Sequence, residues 1–175
     1  MKNFLVLTAL GANTPELTSR LCEEIKLCGC NIVDSRMALL GEEFTMVVMV
    51  SGPWDAIAKI EDHVAKLEKD LNLKITTSRT KMNSPGKSFM PYAIDVVASD
   101  KSGVVHEIAR FISENDVLIQ DMYTNTYKAA FSDTTMFSLH MTINVPTDTS
   151  IATLRSDFMD FCDRHNLDAI IEPVK

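Results

Sequence analysis

Basic residues are scarce in this sequence: 17 lysines and arginines stand against 24 aspartates and glutamates, for a net charge of −7. Residues up to Ser84 carry ten basic and eleven acidic side chains, and those from Pro85 onward carry seven and thirteen. Affinity for the phosphate backbone of nucleic acids rests on clustered lysine and arginine, so neither part is suited to binding DNA directly. Long apolar runs are missing too. None approaches the roughly 20 residues of a membrane helix. The apolar stretch Phe4 to Leu10, with one basic residue before it, is too short and too weakly charged for a signal peptide and reads as a strand. A soluble, cytoplasmic chain is expected.

Chemistry-bearing patterns are equally sparse. Of four cysteines, Cys22, Cys28 and Cys30 fall within nine residues and Cys162 stands alone, which is no disulfide framework; reduced, inert thiols are expected. Cys28-Gly29-Cys30 has one residue between its cysteines, whereas zinc sites want two to four and a second pair elsewhere. His63, His106, His140 and His165 are scattered, and only His106 lies near a candidate ligand loop. No GxSxG elbow, phosphate loop or dinucleotide fingerprint occurs. These gaps point away from an enzyme and from any metal or cofactor, and leave a binding role.

What the chain does have is an internal repeat. At an offset of 87, Asn13 to Leu17 aligns with Asp100 to Val104, Leu21 with Ile108, Ile25 with Ile112, Ile32 with Ile119 and Asp34 with Asp121. The offset becomes 93 where Phe44-Thr45-Met46 meets Phe137-Ser138-Leu139 and Pro53 meets Pro146, which fits an insertion around Lys128 to Asp133 in a hairpin loop. At 94, Ile57, Ile60, Val64 and Leu67 meet Ile151, Leu154, Phe158 and Phe161.

Each copy reads as βαββαβ. Phe4 to Leu10 and Tyr92 to Ala98 are short apolar runs, expected as buried strands. A helix follows each, with Thr14 and Ser102 as expected N-caps, Pro15 at a first helical position and Glu16 in a first turn. Gly29 is expected to end the first helix. Paired strands follow, Asn31 to Ala38 with Phe44 to Ser51 and Val117 to Tyr127 with Thr134 to Val145. Ile57 to Leu67 and Ile151 to Phe161 carry apolar residues at helical steps, and Leu73 to Thr80 and Leu167 to Val174 close the units. The fold expected is α+β: two tandem ferredoxin-like modules, residues 1–80 and 92–175, each an antiparallel sheet with two helices on one face, joined by a linker over 81–91 centred on Ser84-Pro85-Gly86. Thr45 to Val50 is apolar on both faces, which predicts a sheet buried against the other copy or another subunit. Ten methionines, many near strands, suit either core packing or a partner surface; Trp54 is expected to pack at a helix start.

Tandem βαββαβ units opening with Asp100-Lys101-Ser102-Gly103-Val104-Val105 resemble ACT domains, which sense amino acids. The segment Leu27-Cys28-Gly29-Cys30-Asn31-Ile32-Val33-Asp34-Ser35-Arg36, followed by Leu40-Gly41-Glu42-Glu43-Phe44-Thr45 and preceded by Leu10-Gly11-Ala12, resembles the glycine cleavage system transcriptional repressor family across residues 4–80 and more loosely beyond. The resemblance implies a repressor of glycine cleavage genes that binds a DNA-bound activator protein and not DNA, with glycine as signal; pairing into a dimer through sheet edges or helices is expected. A free-standing ACT subunit that controls a metabolic enzyme is the alternative.

By the same resemblance a ligand sits where the first strand of a module turns into its helix, near the start of the next strand. Free amides at a helix N-terminus favour its carboxylate there. The candidates are Asn13, Thr14, Glu16 and Asn31 in the first copy and Asp100, Ser102, Gly103 and Val104 in the second. Glu16 stands where the motif has glycine, and Leu118 where it has a second asparagine. Local roles remain open beside the ligand reading: Asn13 as a helix cap, Asn31 as a turn former, Glu16 and Ser102 as helix-start stabilisers, and Gly103 as a point of close approach.

Overall fold

The computed structural model describes residues 2–82, 88–130 and 132–174. The elements run β1 (Asn3–Ala12), α1 (Leu17–Leu27), β2 (Asn31–Leu40), β3 (Glu43–Gly52), α2 (Trp54–Leu71), β4 (Leu73–Thr80), β5 (Phe89–Ser99), α3 (Val104–Glu114), β6 (Leu118–Lys128), β7 (Thr135–Pro146), α4 (Ile151–His165) and β8 (Asp168–Pro173). They form two four-stranded antiparallel sheets, ordered β2-β3-β1-β4 and β6-β7-β5-β8, in two compact units, Met1–Ser84 and Pro85–Lys175. This is the tandem ferredoxin-like arrangement the repeat predicts. β5 begins at Phe89, inside the stretch read as a linker, and Ser84-Pro85-Gly86 lies outside the described residues.

Alternation builds each core. In β3, Phe44, Met46, Val48 and Val50 point inward and are buried, and α2 lays Ile57, Ile60 and Leu67 over them. In β7, Phe137, Leu139, Met141, Ile143 and Val145 do the same beneath Leu154, Phe158 and Phe161 of α4. The aromatic rings of α3 and α4 stack, with Phe111 and Phe161 at 5.0 Å between centroids. Both modules carry a bulge in the same place, at Ile32/Asp34 and Ile119/Asp121, as a true repeat should.

Several local expectations need correction. α1 begins at Leu17 with Glu16 at its N-cap and no side-chain cap, because a turn precedes it in which the Thr14 carbonyl, not its hydroxyl, accepts from the Leu17 amide at 3.2 Å. Pro15 lies in that turn, before the helix. α3 is preceded by Gly103 at φ 93°, not capped by Ser102; the left-handed backbone explains the glycine, and nothing lies within 4 Å of where its Cβ would be. Gly29, at φ 85°, does end α1. The face of β3 away from the helices carries Val47, 42% exposed in the chain taken alone. Trp54 is 64% exposed at the start of α2, and the methionines divide between core (Met46, Met141) and surface (Met37, Met122).

Candidate functional site

In the second module three of the four expected residues meet at one cavity. Ser102, Gly103 and Val104 line about 180 Å³ together with Lys101, Glu107 and His165. Val104 is the buried first residue of α3, and Gly103, at φ 93°, stands at its N-cap, where the first-turn amides lack intrahelical partners. Lys101 Nζ donates to the His165 carbonyl at 2.9 Å, a cation on the C-terminal carbonyls of α4. Glu107 pairs with Arg110 at 2.6 Å. Asp100 does not line this cavity; its amide donates to the Thr135 carbonyl and closes the β5–β7 end. His106 is exposed and also outside it.

The first module is arranged differently. Its cavity at the end of β1, about 360 Å³, is lined by Leu10, Gly11, Ala12, Glu43, Asn72 and Lys74. Asn13, Thr14 and Glu16 are exposed in the loop beyond, where the Asn13 amide donates to the Glu42 carbonyl at 3.3 Å. Asn31 starts β2. β1 and β2 run parallel with β3 between them, so Ala12 and Leu40 meet Glu43 at one end while Asn3 and Asn31 meet Gly52 and Ser51 at the other. Ten strand residues separate the two asparagines, about 30 Å. A single module does not bring Asn13 and Asn31 together.

Lys101, Glu107 and His165 escaped the sequence reading. His165 sits at the far end of another helix, and only the packing of α4 beside α3 brings it to Gly103; the one local signal was the charge of Lys101 within the loop itself.

The cysteines are all free thiols. Cys28 and Cys30 are buried, and burial pushes both thiols above their usual range; Cys28 Sγ lies 3.6 Å from His63 Nδ1. Burial pushes Cys162 up to about 12. Among the described residues no group of three or more His, Cys, Asp or Glu side chains could hold a metal ion, and no helix is long and apolar enough to cross a membrane.

Residues 3–78 match the ACT domain family. The glycine cleavage system transcriptional repressors of Escherichia coli (strain K12) and Shigella flexneri are each 28% identical over 177 residues, covering 99% of this chain and 91% of theirs. A crystal structure provisionally named a glycine cleavage system transcriptional repressor superposes with a TM-score of 0.76 over 100% of this chain and 99% of that one, at 22% identity. An unknown protein from Galdieria sulphuraria reaches 0.80 over the full length of both, also at 22%.

Proposed function

We propose that this chain, a tandem ACT-type protein related over its whole length to glycine cleavage system transcriptional repressors, is an amino-acid-responsive negative regulator of glycine cleavage genes that binds an activator protein and not DNA. The observation that carries the reading is the continuous similarity to the named repressors across 99% of the chain. The shortage of basic residues supports the protein-directed route. The chain works in the cytoplasm.

Glycine is the ligand, bound at the β–α loops: Ser102, Gly103 and Val104 in the second module, and Asn13, Thr14, Glu16 and Asn31 in the first, with Asp100 holding its loop. The first site is completed by a second copy. β2 is an exposed edge strand with apolar Ile32, Met37 and Leu39 on it. Antiparallel pairing of β2 with β2 of a second copy about a two-fold axis carries that copy's Asn31 to the Leu40 end, the end of the sheet at which Asn13 lies, about 14 Å across the strands. Glycine then acts by differential affinity: it binds the free regulator better than the activator complex, and the coupling, typically about 1–3 kcal/mol, runs equally in both directions.

Thermal unfolding against a panel of amino acids tests the sensor; glycine at 100 times its dissociation constant adds about 2.7 kcal/mol. A glycine shift lost in Asn13→Ala and Asn31→Ala is expected, and no shift with any amino acid sinks direct sensing. Light scattering should give a dimer that Met37→Lys with Leu39→Lys makes monomeric. Co-purification of an activator protein is expected; recovery of a metabolic enzyme instead, or nanomolar promoter binding by the purified chain alone, sinks the transcriptional reading.

A further inference from the structure

A cavity of about 670 Å³ lies at the opposite end of the second sheet from the Gly103 loop. Phe89, Leu118 and Pro146 form its apolar wall; Phe89 pairs with Pro146 across β5 and β7 and is 37% exposed, and Leu118 is 57% exposed. Asp116, in the turn between α3 and β6, and Asp148, in the loop before α4, supply two carboxylates. Neither makes an ion pair among the described residues, and no lysine or arginine lines the cavity.

The repeat makes this groove informative. Eighty-seven residues before Asp116 stands Gly29, and both occupy the left-handed backbone region, Gly29 at φ 85° and Asp116 at φ 55°. Beneath that end of the first module, a Cβ on Gly52 would stand 2.9 Å from Cys30 Sγ and 3.2 Å from Ala56 Cβ, where the second module has the buried Val145. At the surface the second module holds a carboxylate where the backbone favours glycine.

We infer that this groove is a docking surface for an arginine side chain presented by a protein partner. A guanidinium lies flat against an aromatic face such as Phe89, its stem covers apolar wall such as Leu118, and its fork pairs with two carboxylates; a groove with both features, and no lysine or arginine among the described residues that line it, is complementary to that group. The acidic excess of the second half, thirteen against seven, extends the same complementarity beyond the groove. The inference stands apart from the glycine site, which uses the other end of the sheet.

The test is a backbone-amide NMR titration of the full chain with N-acetyl-arginine methylamide and with its neutral isostere, N-acetyl-citrulline methylamide. Saturable millimolar binding that shifts the amides of Asp116, Leu118 and Asp148 is expected for arginine, with at least a tenfold weakening in Asp116→Asn and Asp148→Asn. Asp116→Gly, which copies Gly29, is expected to unfold at the same or a higher temperature while losing arginine binding to the same degree. Equal shifts with citrulline, no saturable shift with arginine, or undiminished binding in Asp116→Gly would overturn the assignment, as would shifts at these amides with calcium or magnesium chloride but not with arginine.

Discussion

The two modules share topology, register and even their bulges, yet they differ at both ends and on the open face of the sheet. On that face the middle row of the first module is Thr8, Val47 and Arg36, and the matching row of the second is Asp95, His140 and Tyr123. His140 Nδ1 lies 2.7 Å from Asp95 Oδ1 and its ring stacks on Tyr123 at 4.9 Å, so the second sheet turns a polar, aromatic row outward where the first turns Val47. At the far end the first module has Gly29 where the second sets the Asp116 carboxylate beside an apolar groove. At the loop end the second gathers its candidate ligand residues and the first scatters them. Duplicated modules keep what the core demands and diverge wherever side chains face outward, because only the core positions are constrained by packing on every side.

The largest effect separating the modules should come from their cores. Phe158 is fully buried among rings, while its counterpart Val64 is half-buried. Phe158→Ala is expected to destabilise by about 3–5 kcal/mol and Val64→Ala by about 1 kcal/mol in urea unfolding followed by circular dichroism. Similar losses at both sites would break the comparison.

Next is the packing around Gly52. Gly52→Val gives the first module the residue that the second has at Val145 and forces a Cβ against Cys30 and Ala56. A loss of about 2–3 kcal/mol is expected. A near-neutral result would mean that Cys30 and Ala56 give way easily and that the two cores differ less here than their packing indicates.

A smaller loss, about 1 kcal/mol, is expected for Gly29→Ala, since a Cβ at φ 85° is strained while Ala56 Cβ, 3.7 Å away, leaves room for it. Unchanged stability would remove the argument that Asp116 occupies an unfavourable position.

The thiols supply the smallest effect. Cys162 in the second module and Cys28 and Cys30 in the first are all raised, so each keeps its proton in the folded state above the pH at which the unfolded chain loses it. Stability from this source is full below about pH 9 and falls as pH rises toward the folded values, which for Cys162 is about 12. Cys162→Val should flatten the decline of stability above pH 9. Iodoacetamide at neutral pH should label the half-buried Cys22 first and Cys162 last.

The split-βαβ architecture was legible because its signals are local and doubled: Ile57, Ile60, Val64 and Leu67 repeat at helical spacing ninety-four residues later, and each strand alternates or runs apolar where a sheet needs it. The helix starts were less legible. Thr14 and Ser102 are good capping residues by type, but whether a hydroxyl reaches an orphan amide depends on the turn before it, and in both modules that turn runs on past them, to Glu16 and to Gly103. The candidate site was half legible for a related reason. Ser102, Gly103 and Val104 are contiguous, so a motif could find them; Asn13 and Asn31 look close in the motif, but one opens the loop after β1 and the other starts a strand parallel to β1, at the far end of the sheet.

The amino-acid sequence by itself determined the number of modules, the order of their elements, the identity of the core faces and the acidic charge balance, because periodicity and composition are properties of the chain alone. Only the tertiary structure decided that His165 and Lys101 close the Gly103 cavity, that Trp54 is exposed at the start of α2, and that Asp116 and Asp148 stand beside an apolar wall. Those are relations between segments far apart in sequence, set by how helices and strands pack, and no local pattern encodes the distance between them.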